Sequence, residues 1–173
     1  KTLHHRKVAS SIIMGSKALY DFIDHNEMIE MYPVNHMNDP YVIGQNDHMV
    51  SINSCLEIDL YGQVASEAIG LEQFSGTGGQ VDYLRGAKRS RGGRSILAFT
   101  STAKSGTVSR IVPVLPPGAT VTSGRNEVDY IATEYGAVRL RGLTLRERAL
   151  ALVSIAHPDF RPGLMAAIEE RFS

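Results

Sequence analysis

Residues 8–34 read VASSIIMGSKALYDFIDHNEMIEMYPV, and their periodicity decides the fold. Val8, Ile12 and Ile13 mark a β-compatible apolar run over 8–14 that passes through Gly15. Ala18, Leu19, Phe22 and Ile23 then recur at helical spacing behind Ser16, whose hydroxyl suits an N-cap. His25 and Asn26 close that helix, and Met28 to Val34 returns to a short strand stopped near Pro33. Strand, helix and strand within about thirty residues make a βαβ unit. The unit predicts an α/β fold with an open, mainly parallel sheet covered by helices.

The chain beyond it fits the same plan. Pro40 suits the first position of a short helix through Gln45, with Asn38 and Asp39 just ahead, where cap side chains and anion-facing N–H groups gather. On pattern alone Asn38 reads as a cap. Met49 to Tyr61 reads as one long strand whose Glu57 and Asp59 face solvent or a partner. In FSGTGGQVDYLRGA (74–87), Gly76, Gly78 and Gly79 form a Cβ-poor loop, open either to a ligand lying on backbone N–H groups or to a tight connection. Gly86 to Arg94 is basic and flexible, suited to phosphate or to plain solvent. Ser95–Phe99 and Thr107–Leu115 read as buried strands around the hydroxyl-rich turn of Lys104, which is either an anion site or a solvated turn. Short strands follow at Ala119–Thr122 and Asp129–Thr133. A helix then opens on the capping-box pair Thr144 and Glu147, and a last helix starts at Pro162 with the stripe Leu164, Met165, Ile168 and Phe172.

At 173 residues and 43% hydrophobic, the chain suits one domain that buries about two thirds of its unfolded surface. Lys plus Arg and Asp plus Glu number 18 each, which leaves no electrostatic footprint for nucleic acid or an anionic membrane. The single Cys55 cannot form an internal disulfide, and no run has the make-up of a secretory signal or a bilayer span, so a reducing, cytoplasmic setting is expected. His4 and His5 are adjacent, and His25, His36, His48 and His157 are scattered without HExxH or CxxC spacing, so no metal site is expected. Cys55, in an apolar strand, reads as an inert buried thiol. No GxSxG elbow or P-loop lysine is present. The residues alone thus describe a ligand loop with no identifiable catalytic base.

Five segments carry a resemblance: SINSCLEIDLYG (51–62), GTGGQVDYLRGA (76–87), STAKSGTVSRIVP (101–113), TEYGAVRLRG (133–142) and TLRERALALVSIAHPDFRP (144–162). Together, in order, they resemble the C-terminal half of the acetyl-CoA hydrolase and 4-hydroxybutyrate/butyrate CoA-transferase family. The resemblance implies a CoA-transferase-like domain spanning 1–173, the C-terminal half of a two-domain parent with the acyl-CoA site between the halves. It implies coenzyme A as substrate, no metal, and transfer of CoA between a short-chain acyl-CoA and a carboxylate such as acetate through an enzyme glutamate. Acyl-CoA hydrolysis is the alternative, and a non-catalytic CoA-binding or interaction module is the second. Homo-oligomerisation and contact with the parent's own N-terminal domain are also expected.

The family's GxGGxxxF motif matches Gly76 to Tyr83, with Tyr83 in place of Phe. By resemblance Gly79 N–H is one oxyanion donor, consistent with a positive-φ, Cβ-free position, and the Asn38 carboxamide is the other. Gly76, Gly78, Gly79, Gln80 and Lys104 are implied contacts to coenzyme A. The family's nucleophilic glutamate sits in a motif expected just ahead of the segment matching Lys1, and this chain contains no such motif. Glu134, in Thr-Glu-Tyr-Gly, matches a different segment. The chain is therefore expected to be a fragment, inactive alone, of an active parent.

Overall fold

The βαβ unit forms as its periodicity predicts, in a computed structural model that describes residues 1–172. β1 (Val8–Ser10) and β2 (Ile29–Met31) run parallel, Val8 opposite Ile29, joined through α1 (Lys17–Ile23). Ser16 caps α1, its Oγ accepting the Leu19 N–H at 3.4 Å. The first strand is shorter than its apolar run, because residues 12–14 leave the sheet with Ile12 and Met14 exposed. Two short turns of helix follow, α2 (Val34–Met37) and α3 (Pro40–Gly44).

The run 49–61 is two strands, not one: β3 (Val50–Asn53) and β4 (Glu57–Asp59) lie in different sheets. Between them the Arg110 guanidinium donates to the carbonyls of Cys55 and Leu56, the latter at 2.9 Å, so a side chain satisfies groups that a longer strand would pair. β5 (Val64–Ala65), β6 (Ala68–Ile69) and β7 (Glu72–Gln73) lead into the glycine loop. α4 (Gln80–Arg89) leaves it and enters β8 (Arg94–Ala98). β9 (Thr102–Ala103) and β10 (Val108–Ser109) form a hairpin around a 3₁₀ turn at Lys104–Gly106. β11 (Ile111–Val112), β12 (Tyr130–Thr133), β13 (Gly136–Arg139), α5 (Leu145–Ser154) and α6 (Arg161–Phe172) complete the chain.

The main sheet has the order β13-β12-β8-β3, parallel except for β13. α4 packs on β3 and β8, and α5 pairs with α6. Leu84, Leu97, Ile131, Leu140 and Leu152 are fully buried at the centre. The Thr144–Glu147 capping box that predicts α5 is present, with Thr144 N–H donating to Glu147 Oε2 at 2.8 Å.

Four expectations need correction. Glu57 and Asp59 do not face solvent: β4 is the middle strand of β11-β4-β5, so both are buried. Asp59 is satisfied by the Tyr61 and Gln63 N–H groups at 3.0 and 2.8 Å, whereas Glu57 Oε2 has no partner. Only the first part of the basic stretch is helix, α4 ending at Arg89, and three of its four cations are engaged: Lys88 donates to the Asn126 carbonyl at 3.2 Å, Arg89 stacks over the Tyr41 ring and Arg91 pairs with Asp47. The run 107–115 breaks at Arg110, whose N–H goes to Ser101 and whose carbonyl accepts from Ile58. Residues 119–122 form no strand; only Ser123 bridges Val64, by bonds of 3.0 and 3.1 Å.

Candidate active site

Open parallel sheets meet ligands beyond the carboxyl ends of their strands. α4 enters β8 through the short link 90–93 and packs back along β3 and β8, so its N-terminus and Gly79 lie at that edge. Gly79 is the N-cap of α4 with φ −96 and ψ 11, an ordinary backbone for any residue. The left-handed residue of the loop is Gly78, at φ 56. The expected positive φ at Gly79 is therefore corrected, and a different constraint holds there. A Cβ at 79 would overlap Asn38 Nδ2 and lie only 3.0 Å from its Cγ and 3.3 Å from its Oδ1.

Asn38 and Gly79, far apart in sequence, thus meet. Asn38 ends α2, its N–H bonded to the Val34 carbonyl at 2.8 Å. Capping of α3 falls to Asp39, whose Oδ1 accepts the Tyr41 N–H at 2.7 Å. The Asn38 carboxamide is not the cap that pattern alone assigns.

α2 is pinned from outside by a ring cluster. His36 Nε2 lies 3.3 Å from His4 Nε2, and His4 Nδ1 lies 3.1 Å from Glu30 Oε2. Tyr32 OH donates to the same oxygen at 3.0 Å, and its ring centroid stands 4.6 Å from that of His4 and 4.9 Å from that of His36. Burial works against charge on Glu30. The Tyr32 and His4 hydrogen bonds and the Lys7 ammonium, 4.0 Å away, outweigh it and hold the carboxyl below the usual range. With Glu30 ionised, His4 Nδ1 carries the hydrogen donated to it. His4 and His36 are scattered in sequence and adjacent in space.

The implied coenzyme A residues divide. Gly76 and Gly78 have open space where a side chain would be. The Gln80 side chain turns inward, donating to Ser123 Oγ at 3.0 Å, so what it presents outward is the backbone N–H of the first turn. Lys104 is exposed in the β9–β10 turn at φ 48, its carbonyl accepting from Thr107 Oγ1 at 2.8 Å, and it makes no hydrogen bond to Asn38 or Gly79. Burial, with Asp82 alongside, pushes the Tyr83 hydroxyl up. Sequence reasoning missed how the Lys104 hairpin is held. The Glu134 carboxylate accepts the Ser101 N–H at 2.8 Å and the Ser101 hydroxyl at 2.5 Å, and against the opposing effect of burial these bonds keep its pKa lowered. No local signal in Thr-Glu-Tyr-Gly points across to Ser101.

Fold and site together define an open-sheet α/β domain whose helix start faces a side-chain amide, two N–H donors of the kind that stabilise a tetrahedral oxyanion. The sequence profile described as the acetyl-CoA hydrolase/transferase C-terminal domain matches residues 15–168, and the chain belongs to that family. It is 58% identical over 172 residues to a 4-hydroxybutyrate coenzyme A transferase of Clostridium kluyveri, covering 99% of this chain and 40% of that protein. It is 52% identical over 167 residues to a succinyl-CoA:cyclohexane-1-carboxylate CoA transferase of Geobacter metallireducens, covering 96% of this chain and 38% of the relative. A crystal structure of 4-hydroxybutyrate CoA-transferase from Porphyromonas gingivalis superposes with a TM-score of 0.85 at 60% identity, over 99% of this chain and 39% of that one. The family resemblance and the CoA-transferase-like α/β fold are thus borne out. Among the described residues no helix is long and apolar enough to cross a membrane.

Proposed function

We propose that the parent of this chain, whose C-terminal domain spans 1–173, moves coenzyme A between a short-chain acyl-CoA and a carboxylate such as acetate. The observation that carries the reading is the close approach of the Asn38 carboxamide to Gly79 at the start of α4, which brings two N–H-bearing groups side by side. A glutamate of the parent, ahead of Lys1, attacks the thioester carbonyl. The C–S bond breaks, CoA thiolate leaves, and an acyl-glutamyl anhydride remains. The thiolate then attacks the glutamyl carbonyl, expelling the first carboxylate and leaving a glutamyl-CoA thioester, and the acceptor carboxylate runs the two steps in reverse. Asn38 Nδ2–H and Gly79 N–H donate to the oxyanion of each addition, each worth about 3 kcal/mol. Gly76, Gly78, the Gln80 N–H and Lys104 hold the coenzyme A moiety. The parent acts in the cytoplasm, as a homo-oligomer, with its N-terminal domain completing the cleft.

The test is to mix the full-length parent with acyl-CoA, omit the acceptor, and reduce with borohydride. Mass spectrometry should find one glutamate converted to its alcohol; no adduct would overturn the covalent route. The family description spans hydrolases as well as transferases, which favours hydrolysis as the second reading. CoA release that is independent of acetate would select it, and a parent that binds CoA without turnover would leave only a binding module.

A further inference from the structure

We infer that Thr122 and Ser123 are positioning residues for the proposed chemistry: adjacent in the chain, they clamp both ends of the glycine loop and so fix where the Gly79 N–H points. This rests on the reading above, in which Gly79 and the loop before it meet the acyl-CoA. The two residues act through Glu67 and Gln80.

The loop does not hold itself. Among the described residues the N–H groups of Gly76, Thr77, Gly78 and Gly79 donate to no protein group, and a Cβ at Gly76 or Gly78 would meet nothing within 4 Å. The bond nearest the tip, from Ser75 Oγ to the Gly76 carbonyl at 3.0 Å, joins neighbours in sequence. Consecutive unpaired N–H groups suit a ligand that carries negative charge. Their direction is set where the loop is anchored.

The upstream end hangs on Glu67. Its carbonyl accepts the Phe74 and Ser75 N–H groups at 2.7 and 3.2 Å, and its carboxylate accepts from Gln73 Nε2 at 3.2 Å. Gln73 Nε2 also donates to the Ser75 carbonyl at 2.7 Å. Glu67 is buried, and its other carboxylate oxygen accepts from Thr122 Oγ1 at 3.2 Å. The same hydroxyl accepts the Ser66 N–H at 3.0 Å. Removing it would leave a buried carboxylate oxygen and a backbone N–H without partners, the costly kind of loss.

The downstream end hangs on Gln80, the residue after Gly79. Its buried carboxamide donates to the Oγ of Ser123, which is itself fully buried and locked to Val64 of β5. The run 122–127 then follows α4: Arg85 pairs with Glu127 at 3.2 Å and Lys88 reaches the Asn126 carbonyl. From the side of α5, Arg148 donates to the Arg125 carbonyl at 2.9 Å. The strap that bears Thr122 and Ser123 is thus fixed from β5, α4 and α5, a rigid reference for a loop without contacts of its own.

Kinetics on the full-length parent separate the two ties. Ser123→Ala frees the Gly79 end and should lower kcat about 10–100-fold with the acyl-CoA KM within about 3-fold, since a donor misplaced by about 1 Å costs about that much. Thr122→Val keeps the shape of the side chain but frees the Gly76 end, and should act chiefly on the acyl-CoA KM, raising it about 10-fold. Thr122→Ser, which keeps the hydroxyl, should recover most of that loss. Unchanged constants in either variant, or losses that merely match the fraction unfolded by circular dichroism at the assay temperature, would overturn the inference. Hydrogen exchange gives a readout free of turnover: the Phe74 and Ser75 amides should exchange about 10-fold faster in Thr122→Val than in wild type, and equal rates would overturn the upstream tie. The borohydride adduct is scored on the same wild-type preparation. An adduct with unchanged kinetics and exchange would sink the clamp and leave the function, whereas faster exchange in a parent that gives no adduct would do the reverse.

Discussion

Gly79→Ala in the full-length parent isolates the contact on which the site depends. The backbone at 79, φ −96 and ψ 11, admits alanine without strain. The added methyl would overlap Asn38 Nδ2 and stand 3.0 Å from its Cγ, inside the roughly 3.5–4.0 Å at which carbon atoms pack. The carboxamide must therefore swing aside by about 1 Å, taking Nδ2 out of hydrogen-bond geometry while the N–H of residue 79 stays in place. Loss of one oxyanion donor costs about 10²–10³ in kcat, or roughly 3–4 kcal/mol. Loss of a glycine N-cap costs only about 1 kcal/mol of stability, so the variant should fold. Steady-state kinetics with acyl-CoA and acetate should show kcat down about 100-fold and KM within about 3-fold, the signature of an interaction made in the transition state. Asn38→Ala should give a similar loss, and it also vacates the space that the methyl needs. Gly79→Ala added to Asn38→Ala should then cost less than about 3-fold more, a strongly non-additive cycle. Additive losses, or a kcat for the single variant within a few-fold of wild type, would refute the reasoning.

Gly86→Ala places a methyl 2.5 Å from Ile43 Cβ, a residue only 4% exposed; overpacking of about 1–3 kcal/mol should lower the urea midpoint, and an unchanged midpoint would mean that α3 and α4 separate freely. Burial raises the Glu57 carboxyl more than Arg110 lowers it. A raised folded-state pKa stabilises below the unfolded value and loses that benefit as pH climbs through the folded one. Glu57→Gln should therefore raise the melting temperature at pH 8 by more than at pH 4, and a pH-independent difference would contradict this. Burial pushes the Cys55 thiol up to about 12, so a thiol reagent at pH 8 should label it only on unfolding; labelling of the native protein at the rate of a free thiol would count against the packing of β4.

Local pattern made the βαβ unit, the α5 capping box and the α6 stripe legible, because each is decided by residues within a few positions of one another. Burial was less legible. Glu57 and Asp59 look like a solvent face until β11 and β5 close over β4 from more distant parts of the chain. The same limit split the run 49–61: nothing near Cys55 or Leu56 announces that Arg110 will take their carbonyls. The meeting of Asn38 with Gly79 was reached through resemblance, since pattern alone assigns Asn38 to a cap that Asp39 fills.

The glycines show why the helix α4 was hidden while the loop before it was not. Gly44, Gly79 and Gly86 read as punctuation in a linear sequence, yet each marks a close approach between the α2–α3 segment and the segment that forms α4. A Cβ at Gly44 would lie 2.9 Å from Arg89 Cβ, one at Gly86 2.5 Å from Ile43 Cβ, and one at Gly79 would strike Asn38. The three contacts run in the same order along both segments, so α3 and α4 lie side by side and parallel, with their starts together. Small residues allow that approach, because two helices with side chains at these positions would be held further apart. The spacing that packs Gly86 on Ile43 is therefore the spacing that sets Asn38 against Gly79. One helix-pair contact governs both the stability of this layer and the geometry of the proposed oxyanion site.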